Sequence, residues 1–420
     1  MKRSRSVTLA TVAALLAGGA ATYFSGSASA AAACAPAWSS AAVYVGGNTA
    51  SQNGHNYSAK WWTQNESPAT HSGQWDVWAD NGVCGGTTPP TTPPTTPPTT
   101  PPVTTPPPTT PPPTTPPPSN GTLPAHFLTG YWQNFDNGAA PLKLAAVPTT
   151  YDLIAVAFAD ATSTAGAVSF TLDPGLASAV GGYTDAQFKA DIATLHARGK
   201  KVIISVGGEK GTVSVASAAA ATNFANSVYS LMTAYGFDGV DIDLENGLNA
   251  TYMAQALRSL RAKAGSNLII TMAPQTIDMQ STGSSYFALA LSIKDILTVV
   301  HTQFYNSGSM LGCDNNAAYS QGTVNFLTAL ACIQTQNGLR PDQVALGLPS
   351  STRAAGGGYV APSVVNAALD CLARGTNCGS FKPPATYPGI RGAMTWSINW
   401  DVTNGNGFAN TVKPHLATLP

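Results

Sequence analysis

Charge is scarce in this chain. Asp plus Glu number 20 and Lys plus Arg number 20 in 420 residues, for a net charge of zero. A nucleic-acid footprint needs clustered basic residues, so no nucleic-acid partner is expected. Long apolar runs are also lacking. Nothing approaches the roughly 20 consecutive apolar residues that cross a bilayer, so no membrane partner is expected either. The six His are scattered and no Cys-x-x-Cys occurs, which argues against a zinc site. No Gly-x-Gly-x-x-Gly follows the first strand-like run of the long C-terminal part, which counts against a nucleotide-binding sheet.

What charge there is gathers in one place. Asp238-Gly239-Val240-Asp241-Ile242-Asp243-Leu244-Glu245 holds four acids in eight positions. Apolar residues alternate with the last three acids. Period-two alternation is what a strand displays, and it puts Asp241, Asp243 and Glu245 on one face. Like charges on one face repel and desolvate each other, an arrangement suited to a site that needs perturbed carboxyl groups. The plainer reading is a solvated edge strand, for which so consistent an apolar face would be unnecessary. Asp238 stands outside the alternation and is expected to anchor the start of the strand.

The rest of the chain divides by composition. Residues 1–30 read as an export leader: basic Lys2, Arg3 and Arg5, a short apolar run over 7–17, and Ala28-Ser29-Ala30 as a small-x-small cleavage site. An exported, extracellular protein is therefore expected. Residues 87–121 are mostly Thr and Pro, a composition that cannot bury a core and reads as a linker. Tethering of this kind raises the effective concentration of one unit near whatever the other binds. Six Cys in an exported chain imply disulfides, with 15 pairings open by combinatorics. Position favours Cys34 with Cys84, Cys313 with Cys332, and Cys371 with Cys378.

Residues 31–86 form a small unit dense in aromatics: Trp38, Tyr44, Tyr57, Trp61, Trp62, Trp75 and Trp78. Aromatic faces stack on the apolar C–H faces of sugar rings. The plainer reading makes these Trp the core of a tiny disulfide-braced domain, and both uses are expected. Residues 122–420 repeat a rhythm instead. Strand-like runs fall at 127–131, 153–158, 201–206, 239–244, 268–272, 299–304, 344–348 and 392–396. Helical patterns lie at 185–198, 217–235, 251–263, 323–336 and 362–373. Eight such runs with intervening helices predict an α/β fold, a (β/α)8 TIM barrel, with a doubly wound open sheet as the alternative. In a barrel, Glu245 would end the fourth strand, at the face where active sites lie.

Two resemblances follow from these motifs. Tyr57-Ser58-Ala59-Lys60-Trp61-Trp62, with Trp75 downstream, resembles the short chitin- and cellulose-binding modules of bacterial chitinases. It implies a binding face built from Trp61, Trp62 and Tyr44. Residues 122–420 resemble the family 18 glycoside hydrolases. The carriers are the acidic strand, Ser205-Val206-Gly207-Gly208 on strand three, Gln303-Phe304-Tyr305-Asn306 on strand six, and Trp396 on strand eight. The Tyr-Asn ending of strand six is similar to the chitinase D and hevamine-like branch.

That resemblance implies a retaining, substrate-assisted mechanism. Glu245 would protonate the glycosidic oxygen, and the substrate's own 2-acetamido oxygen would attack the anomeric carbon to give an oxazolinium-like intermediate. Asp243 would hold the acetamido N–H. Asp241 would share a proton with Asp243, and Ser205 would hydrogen-bond Asp241. Tyr305 would hold the acetamido oxygen. Trp396 would floor the sugar, with Tyr131, Gly208, Met272, Gln303 and Asn306 around it. Chitin and N-acetylglucosamine oligomers are the expected partners, with no metal or cofactor, and the protein is expected to be a monomer. Only about 40 residues separate strands seven and eight, so the extra domain of deep-cleft chitinases is expected to be missing and cleavage to be endo. The alternatives are an endo-β-N-acetylglucosaminidase on N-glycans and a non-catalytic chitin lectin.

Overall fold

The computed structural model describes residues 32–44, 47–60, 63–64, 66–73, 77–85 and 122–420. The expected leader, the Thr/Pro segment, Trp61, Trp62 and Trp75 lie outside the described residues. The chain divides into two compact units, residues 1–110 and 111–420.

In the first unit, strands Thr49–Gln52, His55–Ala59 and Trp78–Val83 form an antiparallel sheet. A shorter pair, Val43–Tyr44 and Thr63–Gln64, lies apart from it. Among the described residues, Ala50, Tyr57, Ala59 and Trp78 form the core, with Trp38 and Tyr44 packed against it. A unit of this length buries little apolar area, and a covalent brace compensates. Cys34 and Cys84 supply it.

In the second unit, eight parallel strands close on themselves. They are β1 (Phe127–Gln133), β2 (Leu153–Ala161), β3 (Lys201–Gly208), β4 (Gly239–Leu244), β5 (Ile269–Met272), β6 (Val299–Gln303), β7 (Val344–Pro349) and β8 (Gly392–Trp396). Each pairs with its sequence neighbours, and β8 returns to β1 through Gly392 opposite Phe127. The fold is a (β/α)8 barrel.

Closure explains the near-continuous apolar runs, since such strands are covered on both faces. Alternate residues feed two cores. Phe127, Tyr131, Ala155, Ile203, Ala273 and Met394 fill the barrel. Leu128, Ile154, Ile204, Ile242 and Met272 face the helices.

Helix starts are set by local chemistry. Thr184 and Gln187 form a reciprocal capping box before helix Asp185–Ala197, while Ser217 and Asn249 cap helices Ala218–Tyr235 and Ala250–Ala264. The Cys313–Cys332 bridge ties the β6 loop to helix Val324–Gln336. Cys371–Cys378 closes the end of helix Pro362–Arg374.

Candidate active site

The acidic strand is β4, and its register fixes the site. Asp241 stands opposite Ser205 on β3 and Thr271 on β5. All three point into the barrel. Asp241 is fully buried and accepts three O–H bonds: from Tyr131 Oη at 2.7 Å, Ser205 Oγ at 2.7 Å and Thr271 Oγ1 at 2.6 Å. Burial raises its pKa, and these three donors oppose the rise by stabilising the charge.

Asp243, one step nearer the mouth, is buried too and accepts from Gln303 Nε2 at 2.9 Å. Gln303 is itself held by the Ala273 carbonyl at 2.9 Å. Burial, then the charges of Asp241 and Glu245, push the Asp243 pKa well above the carboxylate range. Three donors serve Asp241 and one serves Asp243, and the two neighbouring carboxyls resist joint ionisation and titrate as a pair.

Glu245 follows the last residue of β4 and reaches solvent at the mouth. Protein still surrounds its carboxyl enough to raise its pKa, and the Glu209 and Asp278 charges add to the rise. Gln275 and Gln303 work the other way by hydrogen bonding, Gln275 Nε2 lying 3.4 Å from Glu245 Oε2. The face therefore grades from a fully buried carboxyl held by three donors, through a second buried carboxyl, to an exposed one.

Glycines let β3 and its loop approach this face. A Cβ on Gly207 would sit 2.1 Å from the Asp243 carbonyl oxygen, and one on Gly208 2.5 Å from the Phe158 ring. Both residues have positive φ. Aromatics complete the mouth. Trp396 is half-buried at the end of β8, stacked on Phe158 at 5.9 Å, with Tyr131 at 5.5 Å and Phe135 at 6.3 Å. Tyr305 is buried just past β6. Burial and the Asp243 and Glu245 charges drive its pKa well up, so its hydroxyl stays a proton donor.

Met272 departs from the expectation, while Asn306 and Tyr44 make further contacts within the protein. Met272 does not line the site. Thr271 must point inward to reach Asp241, so strand alternation turns Met272 outward into the helix-facing core, where it is fully buried. Asn306 spends its side-chain oxygen on Gly357 N at 3.0 Å. It adopts a left-handed φ of 51° and holds the β7 loop. Tyr44, expected on a binding face, is half-buried edge-on to Trp78 at 5.0 Å and accepts Ser39 N at 2.8 Å through its hydroxyl.

The sequence pattern does not single out Thr271, Phe158, Phe135, Glu209 and Asp278. Thr271 is a polar residue at an inward position of a buried strand and could have been found on that signal. The other four lie at or beyond the regular parts of their strands, where no period applies.

Similarity to known proteins agrees with this geometry. Residues 128–411 match the family model for glycosyl hydrolases family 18, and residues 37–79 match that for carbohydrate-binding module family 5/12. Chitinase D of Niallia circulans is 38% identical over 339 residues, covering 71% of this chain and 63% of that protein. Exochitinase 1 of Streptomyces olivaceoviridis is 38% identical over 334 residues, covering 69% of this chain and 55% of that protein. The chain thus spans less than two thirds of the length of these relatives. A solved Streptomyces coelicolor structure described as chitinase A shares 69% identity at a TM-score of 0.69, covering 70% of this chain and 99% of that one. With its barrel, its acidic fourth strand and a match over most of its length, the chain belongs to glycosyl hydrolases family 18.

Proposed function

We propose that the protein is an exported chitinase that hydrolyses β-1,4 linkages between N-acetylglucosamine units, endo-wise and with retention. The observation that carries this reading is the graded burial of three carboxyl groups on one strand face. Asp241 and Asp243 are buried below the mouth, and Glu245 is exposed at it. Ordinary retaining glycosidases place a second carboxylate as nucleophile. Here Asp243 is enclosed and paired with Asp241, so it is suited to serving an acetamido group instead.

In the proposed reaction Glu245 gives its proton to the glycosidic oxygen as the C1–O bond breaks. The acetamido carbonyl oxygen bonds to C1 and an oxazolinium ion forms. Asp243 faces the acetamido N–H and offsets its growing positive charge. Tyr305 donates to the acetamido oxygen and orients it for attack. Trp396, backed by Phe158, floors the sugar. Water then opens the ring from the face opposite to the bridging oxygen, with Glu245 taking its proton. Both substitutions at C1 invert, so the net outcome is retention.

The connection between β7 and β8 carries helix Pro362–Arg374 and no strand. A cleft without an added domain there is open, which supports endo cleavage; the name of the Streptomyces olivaceoviridis relative points to exo action. A time course on N-acetylglucosamine hexamer decides between them. Trimer and tetramer at early times are expected, whereas dimer alone from the first moments would refute endo action. Release of reducing ends from colloidal chitin, lost in Glu245→Gln by about 100-fold or more, tests the enzyme reading against a lectin. A high-mannose glycoprotein run beside it should stay intact; its deglycosylation would favour the N-glycan alternative. Export predicts a secreted protein whose sequence starts at Ala31, checked by N-terminal mass spectrometry of culture supernatant.

A further inference from the structure

The strand that leads into Glu245 lacks a strand partner on one side at its last residue. On the β3 side pairing continues to Leu244 opposite Gly208. On the β5 side it ends with Ile242 opposite Met272, where Ala273 N reaches the Ile242 carbonyl at 2.9 Å. Residues two apart on a strand present their N–H and C=O groups to the same side. Leu244 therefore aims both groups toward β5 where β5 has already turned away. A buried backbone N–H left this way costs about 1–3 kcal/mol.

Tyr286 fills the gap. It comes from helix Ser285–Ser292, downstream of β5, and its side chain is buried. Leu244 N donates to Tyr286 Oη at 2.6 Å. The Tyr286 proton goes back to the strand, with the Leu244 carbonyl at 3.2 Å and the Ile242 carbonyl at 3.4 Å. One hydroxyl thus replaces a missing strand residue, both as acceptor and as donor. The residue after Leu244 is Glu245.

We propose that Tyr286 is the positioning residue for the acid: its hydroxyl holds the end of β4 so that the Glu245 carboxyl meets the leaving oxygen. Tyr286 touches no substrate and acts through the backbone. Burial, then the Asp243 charge, raises its pKa well above the phenol range, so it keeps the proton that the bridge requires. This proposal rests on Glu245 being the acid.

The test exploits leaving-group chemistry. Breaking a bond to a sugar hydroxyl needs protonation; expelling 2,4-dinitrophenolate hardly does. In Tyr286→Phe of the full chain, kcat/KM on the hexamer should fall at least about tenfold, since small misplacements of a reacting group are costly. On 2,4-dinitrophenyl chitobioside it should fall less than about threefold. Glu245→Gln serves as the control and should show the same selectivity more strongly. Equal losses on both substrates, or no loss, in a folded Tyr286→Phe protein would overturn the positioning role. Absence of selectivity in Glu245→Gln would instead sink the reading of the acid itself. Incorporating 4-aminophenylalanine at position 286 restores a hydrogen-bonding atom in place and should recover hexamer turnover. Failure of that rescue, with melting temperature unchanged, also counts against the proposal.

Discussion

Burial raises the Glu245 pKa, and charged neighbours from other parts of the chain add to the rise. Glu209 follows Gly208, which pairs with Leu244, so Glu209 and Glu245 leave adjacent strands side by side. Asp278 comes from the turn Thr276–Met279 after β5 and adds a second negative charge. Asp243 lies below on the same strand. Gln275 and Gln303 oppose the rise, and Lys210 is the cation next to Glu209 in the chain. A general acid works only while protonated, so turnover is retained below its pKa and lost as pH rises through it. A raised pKa moves that alkaline limb upward. Replacing Glu209 with Gln or Asp278 with Asn removes a charge that favours the proton, so the limb of kcat against pH should move to lower pH. Gln275→Ala removes a hydrogen bond that favours the anion, and the limb should move to higher pH. Shifts of the same sign in Glu209→Gln and Gln275→Ala would contradict this electrostatic account.

Strand ends, not strand middles, decide what this barrel can do. Gly207 and Gly208 finish β3 where any Cβ would strike the Asp243 carbonyl or the Phe158 ring. Gly207→Ala places a methyl in the path of β4 at a φ of +121°. Overpacking plus that backbone strain should destabilise the protein by about 2 kcal/mol or more. Activity should fall further than stability explains, because the displaced residue is Asp243. Thermal melting beside kcat checks this, and a variant with unchanged kcat would contradict it.

The same contrast sets what was legible in the sequence. The eight strands could be read because both faces are covered and their apolar runs are dense. Asp241, Asp243 and Glu245 could be read because acids interrupt such a run at period two. Met272 was misread because phase within β5 depends on Thr271 reaching Asp241, a contact across strands. Tyr286 left no signal at all. Its hydroxyl matters only because pairing with β5 stops two residues before β4 ends, and strand length in one element says nothing of a helix further along the chain.

At the scale of the whole chain, two compact units of unequal self-sufficiency share one polypeptide. The barrel has its own two-layer core. A solved chain 69% identical spans 70% of this one and is covered over 99% of its own length, so a barrel of this kind stands alone. The small unit is short and is braced by Cys34–Cys84. Its match to carbohydrate-binding module family 5/12 supports a role in holding polymer, not in bond breaking. Soluble hexamer diffuses freely and gains nothing from a tether, whereas an insoluble surface does, because holding the chain there converts encounters into an intramolecular search. Deleting residues 1–121 should therefore leave hexamer kcat/KM within about twofold. On particulate chitin at low loading it should slow release of reducing ends by roughly tenfold. Cys34→Ser in the full chain should reproduce the insoluble-substrate loss, since cutting this brace costs about 3 kcal/mol or more in a unit with little else to hold it. If both changes slow the hexamer as much as the polymer, the units are not divided between binding and catalysis. A loss confined to the polymer would assign surface capture to the small unit and leave the chemistry wholly with β4.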